Sequence, residues 1–396
     1  MLRTISAGES HGPQLTALIE GLPSGLPVSL DAIRRDLRRR QKGYGRGGRM
    51  KIEADEAVIT AGVRHGLTLG SPVAIVIRNR DWDSWVQEMA VEAPQAEWVT
   101  MRRVHVPRPG HADLAGATRY RHEDMRNILE RASARETAAR VAMGAVCRGL
   151  LAFVGVRVAS LVARIGPVCW RPSVDWPDAL LEAAEQSDVS CPDAGAAQAM
   201  RRAIDCARAA GDTLGGVFEV RAYGLPAGLG SHVCADRRLD ARLASALMSV
   251  PAVKGVEVGI GFAAAGLPGS QVHDCIEPAQ ATWPFTRPTN NAGGIEGGMS
   301  NGEPIVMRAA MKPIPTLVRP LDSVDTDTMS PAPAHAERSD VCAVPAAAVV
   351  GEAEVCMELA RALLEMFGSS HLEDLRRSLD EYRQDRRQFW SREDTA

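Results

Sequence analysis

Histidine is the side chain that can both give and take a proton near neutrality. Two histidines of this 396-residue chain sit in bare, glycine-flanked surroundings: Ser10-His11-Gly12, and Arg108-Pro109-Gly110-His111-Ala112-Asp113. Glycine neighbours let backbone and ligand approach closely. Neither histidine belongs to an amphipathic pattern that would simply bury it, and each follows or faces arginine-rich sequence. Two proton-transfer groups among many guanidiniums point to acid–base chemistry on a strongly anionic substrate. The plainer alternative is one turn histidine and one surface histidine.

The first basic cluster is Arg34, Arg35, Arg38, Arg39 and Arg40, continued by Gln41-Lys42-Gly43-Tyr44-Gly45-Arg46-Gly47-Gly48-Arg49. Its first part has helical spacing and reads equally as a solvated helix face. The glycine-rich continuation can bend around a ligand, with Arg46 and Arg49 as forked donors to phosphate or carboxylate. The second cluster, Glu130-Arg131-Ala132-Ser133-Ala134-Arg135-Glu136-Thr137, opens an alanine-rich helix whose N-terminus offers N–H groups to an anion. Arg131 and Arg135, four apart, are expected on one side of it; intrahelical pairing with Glu130 and Glu136 is the alternative. Further along lie a glycine-rich loop over Thr289 to Gly302, the proline-stiffened Met311-Lys312-Pro313-Ile314-Pro315-Thr316, and Glu337-Arg338-Ser339-Asp340. The last is either a structural ion pair or an acid–base site. No nucleotide-binding glycine fingerprint is present.

The elements that must position these groups are mixed. Strands are expected over Ser71 to Ile77, Val156 to Ile165, Val217 to Ala222, Val256 to Phe262 and Pro304 to Met311. Helices are expected over Glu130 to Phe153, Ala197 to Ala210, Leu239 to Ser249, and Ala346 to Phe367 ending at Gly368. Without a βαβ rhythm, this predicts an α+β or layered sheet–helix design as one large domain. The stretch from Glu373 to Ala396 is nearly all polar or charged, which predicts an exposed helix or frayed tail. Apolar residues at 45% supply a core, but aromatics at 4% leave its packing to small aliphatic side chains. A net charge of −3 argues against a general polyanion binder. The eight cysteines show no CxxC pair or metal-ligand spacing, and no apolar run reaches membrane-spanning length. These features predict a cytoplasmic protein with reduced thiols and no metal.

Taken together, these segments closely resemble the chorismate synthase family. The resemblance rests on Gly8-Glu9-Ser10-His11-Gly12, Arg38-Arg39-Arg40-Gln41 with Gly43-Tyr44-Gly45-Arg46, the Arg108–Asp113 and Glu130–Thr137 segments, Gly293-Gly294-Ile295-Glu296-Gly297-Gly298, Lys312-Pro313-Ile314-Pro315-Thr316 and Glu337-Arg338-Ser339-Asp340. They occur in the family's order and spacing, from residue 1 to about 372, leaving 373–396 as a charged extension. The resemblance implies a layered β–α–β sandwich, a homotetramer, and an anti-1,4 elimination of phosphate from 5-enolpyruvylshikimate-3-phosphate to chorismate that needs reduced FMN. It further implies that His11 serves the leaving phosphate, His111 the flavin's protonation, and Asp340, with the flavin N5, the C6 proton. Ser10, Arg40, Arg46, Arg49 and Arg135 would hold substrate, with Arg40 and Arg46 also at the positions assigned to NADPH, a candidate reductant. FMN would lie against Arg131, Ala132, Ser133, Pro251, Ala252, Gly298 and Lys312, Pro313, Ile314, Pro315 and Thr316, with Arg338 bridging it to substrate. Two positions depart from the family: Pro251, usually an amide residue, and Arg121, usually glycine.

Two other classes fit parts of the pattern. A flavin reductase would use the flavin contacts but would not need the two histidines. An RNA-binding module would use the basic glycine-rich loop, but would predict a basic footprint and stacking aromatics that this composition lacks.

Overall fold

The computed structural model describes residues 1–396 apart from 48–54, 94–101, 172–174, 280–282, 337–339, 369 and 392–396. Two main sheets are antiparallel throughout, as period-two sequences with one buried face require. The first has the strand order Arg3–Ala7, Gln14–Glu20, Val73–Arg78, Ala57–Ala61. Leu15, Ala17 and Ile19 alternate inward on one strand, and Val73, Ile75 and Ile77 on its neighbour. The second has the order Val253–Val258, Ile305–Met311, Gly216–Tyr223, Arg157–Ile165, Val168–Cys169.

Two helices carry the core. Thr137–Phe153 packs on Gln14–Glu20 and Val73–Arg78, while Val344–Phe367 packs on Arg157–Ile165 and Gly216–Tyr223, and the two helices pack on each other. Leu30–Gln41 and Leu239–Met248 flank them. Val344–Phe367 is buried on nearly every side, as expected of a helix that is apolar all round. The helix pair approaches so closely that a Cβ added to Gly144 would lie 2.4 Å from the Ala353 Cβ. Small residues therefore do the packing that aromatics do elsewhere. Helices and strands intermix as expected, and no helix among the described residues is long and apolar enough to cross a membrane.

The structure corrects two local expectations. The strand expected to reach Phe262 leaves the sheet after Val258, and Gly261–Gly266 is a 3-10 turn. Gly259, at φ +59, passes so close to the Asn291 carbonyl that a Cβ would sit 2.0 Å from it. The helix expected from Glu130 is broken at Ser133, whose backbone is extended (φ −66, ψ 143) and whose hydroxyl accepts from the Arg135 N–H. It becomes Arg126–Ala132, a 3-10 turn, and then Thr137–Phe153. The C-terminal segment forms the helix Leu372–Ser391, with Leu372, Leu375 and Leu379 buried and the Tyr382 hydroxyl donating to the Ala227 carbonyl. Arg121 occupies the left-handed residue that ends helix Asp113–Tyr120 (φ 58, ψ 45), a position where glycine avoids the Cβ cost.

A buried ion quartet ties the layers. Glu352 is fully buried and accepts two bonds from Arg39 (2.9 and 3.0 Å), one from Ser160 (2.6 Å), and one from Arg148. Asp36 meets the same two arginines at 3.3 and 3.1 Å. Burial alone would raise the Glu352 carboxyl, but Arg148, Arg39 and the Ser160 hydroxyl bring it down to about 2. Its folded value lies below its ordinary 4.5, so its stabilisation is complete above about 4.5 and is lost as pH falls toward about 2. Glu352→Gln leaves two buried guanidiniums undercompensated and should cost about 3–5 kcal/mol. Urea denaturation from neutral pH down through that acid range should show the loss at neutral pH and a shallower pH dependence in the variant.

Candidate active site

One cavity of about 450 Å³ opens where the ends of these elements meet. Both histidines line it. His11 lies in the turn joining Arg3–Ala7 to Gln14–Glu20, and this turn is docked on the end of helix Arg126–Ala132. The Ser10 N–H donates to the Glu130 carbonyl at 3.0 Å and the His11 N–H to the Glu130 carboxylate at 2.9 Å. Asn79, just past Val73–Arg78, secures the turn from the other side by donating to the Glu9 and Gly12 carbonyls at 3.1 and 2.6 Å. His111 lies in the turn preceding helix Asp113–Tyr120.

The hydrogen-bonding groups decide which ring nitrogen each histidine offers. His11 Nδ1 is 2.9 Å from both Glu130 carboxylate oxygens, and a carboxylate only accepts, so Nδ1 donates. His111 Nδ1 lies 2.5 Å from Asp113 and 3.1 Å from an Arg108 amino group. Arginine only donates, so Nδ1 cannot serve both. The shorter contact assigns its proton to Asp113, and Arg108 also donates to that carboxylate at 2.8 and 3.1 Å. In each case Nδ1 faces the carboxylate, and the same Arg108 amino group also lies 3.5 Å from His111 Nε2. Burial would raise both carboxyls. At Glu130 the His11 hydrogen bond and charge, with Arg126, hold it below the usual range, and at Asp113 the bonds from His111 and Arg108 do the same.

The cavity's arginines are held in the same way. Asp55, almost wholly buried, accepts from Arg40 at 2.7 Å and from Arg135, and these guanidiniums outweigh burial to keep its carboxyl low. Arg135 Nε also donates to the Asn79 side-chain oxygen at 2.8 Å. Arg46 pairs with Asp340 at 2.9 Å, and the Gly47 N–H donates to the same carboxylate at 2.6 Å. Gly45 makes this loop possible: it sits at φ +89, and a Cβ there would be 2.9 Å from Ile204. Asp340 thus meets Arg46, across the fold, which the sequence did not indicate.

Ser10, Arg40, Arg46, Arg135, Ala132, Ser133, Pro251, Ala252, Lys312, Ile314, Pro315, Thr316 and Asp340 all line this cavity. The break at Ser133 separates Arg131 from Arg135, so they do not share a helix face. Arg131 lies off the wall and clips the first strand, donating to the Ser6 and Gly8 carbonyls at 2.9 and 3.1 Å. Neither makes the intrahelical pair considered above, because Glu130 is taken by His11 and Arg126, and Glu136 by Arg140. Pro313 backs onto Gly215 instead of the cavity. Gly298 accepts from the Leu239 N–H at the start of helix Leu239–Met248, whereas Val250 to Ala252 reach the cavity from its other end. Ten residues at 1.5 Å each separate the two ends by ~15 Å. Arg49 and Arg338 lie outside the described residues. Glu130, Asp113 and Arg108 stood within the motifs as neighbours of chemistry; Asp55 and Asn79 had no sequence signal at all.

Asp55→Asn would leave two buried guanidiniums without their shared carboxylate. The ligand-free variant should lose about 3–5 kcal/mol, and inorganic phosphate should raise its Tm by more than it raises that of the parent. Thermal melts with and without phosphate check both signs.

The family model described as chorismate synthase matches residues 2–364. A chorismate synthase from Trichlorobacter lovleyi is 58% identical over 391 residues, covering 96% of this chain and 98% of the relative. One from Moorella thermoacetica is 59% identical over 384 residues, covering 97% and 99%. A crystal structure of chorismate synthase, 43% identical, superposes with a TM-score of 0.79 over 98% of this chain and 99% of that one. These matches favour neither a flavin reductase nor an RNA-binding module. With sequence and fold matched end to end at this identity, the chain belongs to the chorismate synthase family of carbon–oxygen lyases.

Proposed function

We propose that this cavity eliminates phosphate and the C6 hydrogen from 5-enolpyruvylshikimate-3-phosphate, with His11, His111 and Asp340 handling the protons. The observation that carries this reading is convergence: these three groups and Arg40, Arg46 and Arg135 come from separate segments of the chain and line one cavity. The substrate carries two carboxylates and a phosphate, which is the load such a set of guanidiniums matches. Ser10, Arg40, Arg46 and Arg135, with Arg49, hold it. His11 gives the Nε2 proton to the departing phosphate while Glu130 stabilises the imidazolium. Asp340, oriented by Arg46 and the Gly47 N–H, is the carboxylate for the C6 proton.

The remaining wall suits FMN. Ala343 at the cap of the long helix, and Ala346, Ala347 and Val350 within it, with Val250 to Ala252, form an apolar surface of small side chains that a planar ring can lie on. Lys312, Ile314, Pro315 and Thr316, with Ala132 and Ser133, border it, and the family resemblance adds Arg338 to the set. Arg40 Nε is a buried donor without an acceptor among the described residues, which suits an anionic oxygen. Reduced FMN, when bound, supplies electron density to the breaking C–O bond and recovers it, so no net oxidation results. His111, braced by Asp113 and Arg108, sets the protonation state at that end of the cavity. NADPH is the candidate reductant at Arg40 and Arg46. The reading also takes residues 1–372 as one catalytic domain of layered β–α–β sandwich type with 373–396 as an extension, in a cytoplasmic homotetramer.

The test is anaerobic turnover with chemically reduced FMN, following phosphate release and chorismate absorbance together. Both products should form only with reduced flavin. His11→Ala should lower kcat by about 10²–10⁴ while flavin binding persists; parental turnover in that variant would sink the assignment of His11.

A further inference from the structure

Hydrogen bonding to Glu130 holds one edge of the His11 ring without by itself setting the plane of the ring. A stacking contact bears on that plane. The Trp85 indole stacks on His11 with centroids 3.8 Å apart and planes 22° from parallel. The indole is itself anchored: its N–H donates to Asp81 at 3.0 Å and its backbone N–H to the Trp82 carbonyl at 2.8 Å. The Arg102 guanidinium lies 4.0 Å from the indole centroid. Two planar groups this near one ring cannot share a face, so His11 and Arg102 lie on opposite sides of the indole. Arg126, which also pairs with Glu130, is 5.2 Å from the same ring. Trp85 does not line the cavity.

We infer that Trp85 is a positioning residue for the elimination, clamping the plane of His11 so that Nε2 holds one direction toward the leaving phosphate. The inference rests on His11 being the phosphate's proton donor. It needs no contact between Trp85 and substrate, so its effect must pass through His11. A proton donor displaced by about 1 Å loses on the order of 10²-fold in rate, whereas binding by the arginines is unaffected. An aromatic ring of any kind supplies the stacking face, so phenylalanine should substitute where leucine cannot.

The experiment measures kcat and KM for Trp85→Leu and Trp85→Phe, each in the parent and in a His11→Ala background, with reduced FMN. Trp85→Leu should lose roughly 10- to 100-fold in kcat with KM changed less than about threefold, and Trp85→Phe should recover most of the loss. In the His11→Ala background Trp85→Leu should cost nothing further, since residues acting as a unit are non-additive. A parental kcat in Trp85→Leu overturns the inference. So does a full penalty that persists without His11, or a Phe variant as slow as the Leu variant. If Trp85→Leu does not fold, Asp81→Ala, which releases the indole N–H, takes its place, and a parental kcat there overturns the inference equally. Parental turnover in His11→Ala itself removes the underlying assignment, an outcome distinct from failure at Trp85 alone.

Discussion

A cavity meant for several anionic groups must also exist when empty, and that constraint governs the rest of this molecule. Guanidiniums buried without counter-charge would destabilise the ligand-free fold. Among the described residues the structure answers with carboxylates: Asp55 between Arg40 and Arg135, Asp340 with Arg46, Asp113 with Arg108 and His111, and Glu130 with Arg126 and His11. These acids also orient what they neutralise. Asp55 sets two arginines at once, and Glu130 and Asp113 select the ring nitrogen each histidine offers. Charge compensation and side-chain orientation come from the same contacts.

Such contacts need rigid supports, and the helix pair provides them. Thr137–Phe153 and Val344–Phe367 approach to the limit allowed by Gly144 and Ala353, and the Glu352 quartet ties them to Leu30–Gln41 and to the second sheet. The cavity forms where these elements end. The interruption at Ser133 belongs to this design: a continuous helix would place Arg131 and Arg135 side by side. The break sends one to the first strand's carbonyls and the other to Asp55 and the cavity wall. Trp85 extends the same logic one step outward, as the stacking support of a side chain whose edge a carboxylate holds.

Much of this was legible in the chain. Periodicity located the strands ending near Ile77, Ile165, Ala222 and Met311 and the long alanine-rich helices, because alternation and 3.6-residue repeats report directly which face is buried. Glycine and proline punctuation marked the loops that carry His11, His111, Arg46 and Lys312. The errors fell where a local rule met a tertiary one. Ser133 looks unremarkable inside a helical pattern until its hydroxyl caps the turn below it. The run past Val258 alternates like a strand, yet Gly259 must slip past the Asn291 carbonyl.

Residue types and their spacing by themselves determined the chemistry: proton donors, anion receptors and backbone able to bend around a ligand, in an order that marks the family. They could do so because side-chain pKa, donor geometry and glycine's freedom are properties of the residue. Which groups face one another was decided only by the fold. Asp55 stands 80 residues from Arg135, Glu130 stands 119 from His11, and Asp340 stands 293 from Gly47. No local rule links positions so far apart. Their meeting follows from how the sheets and the helix pair close on one another, and on that packing depends which nitrogen, which guanidinium and which carboxylate reach the cavity.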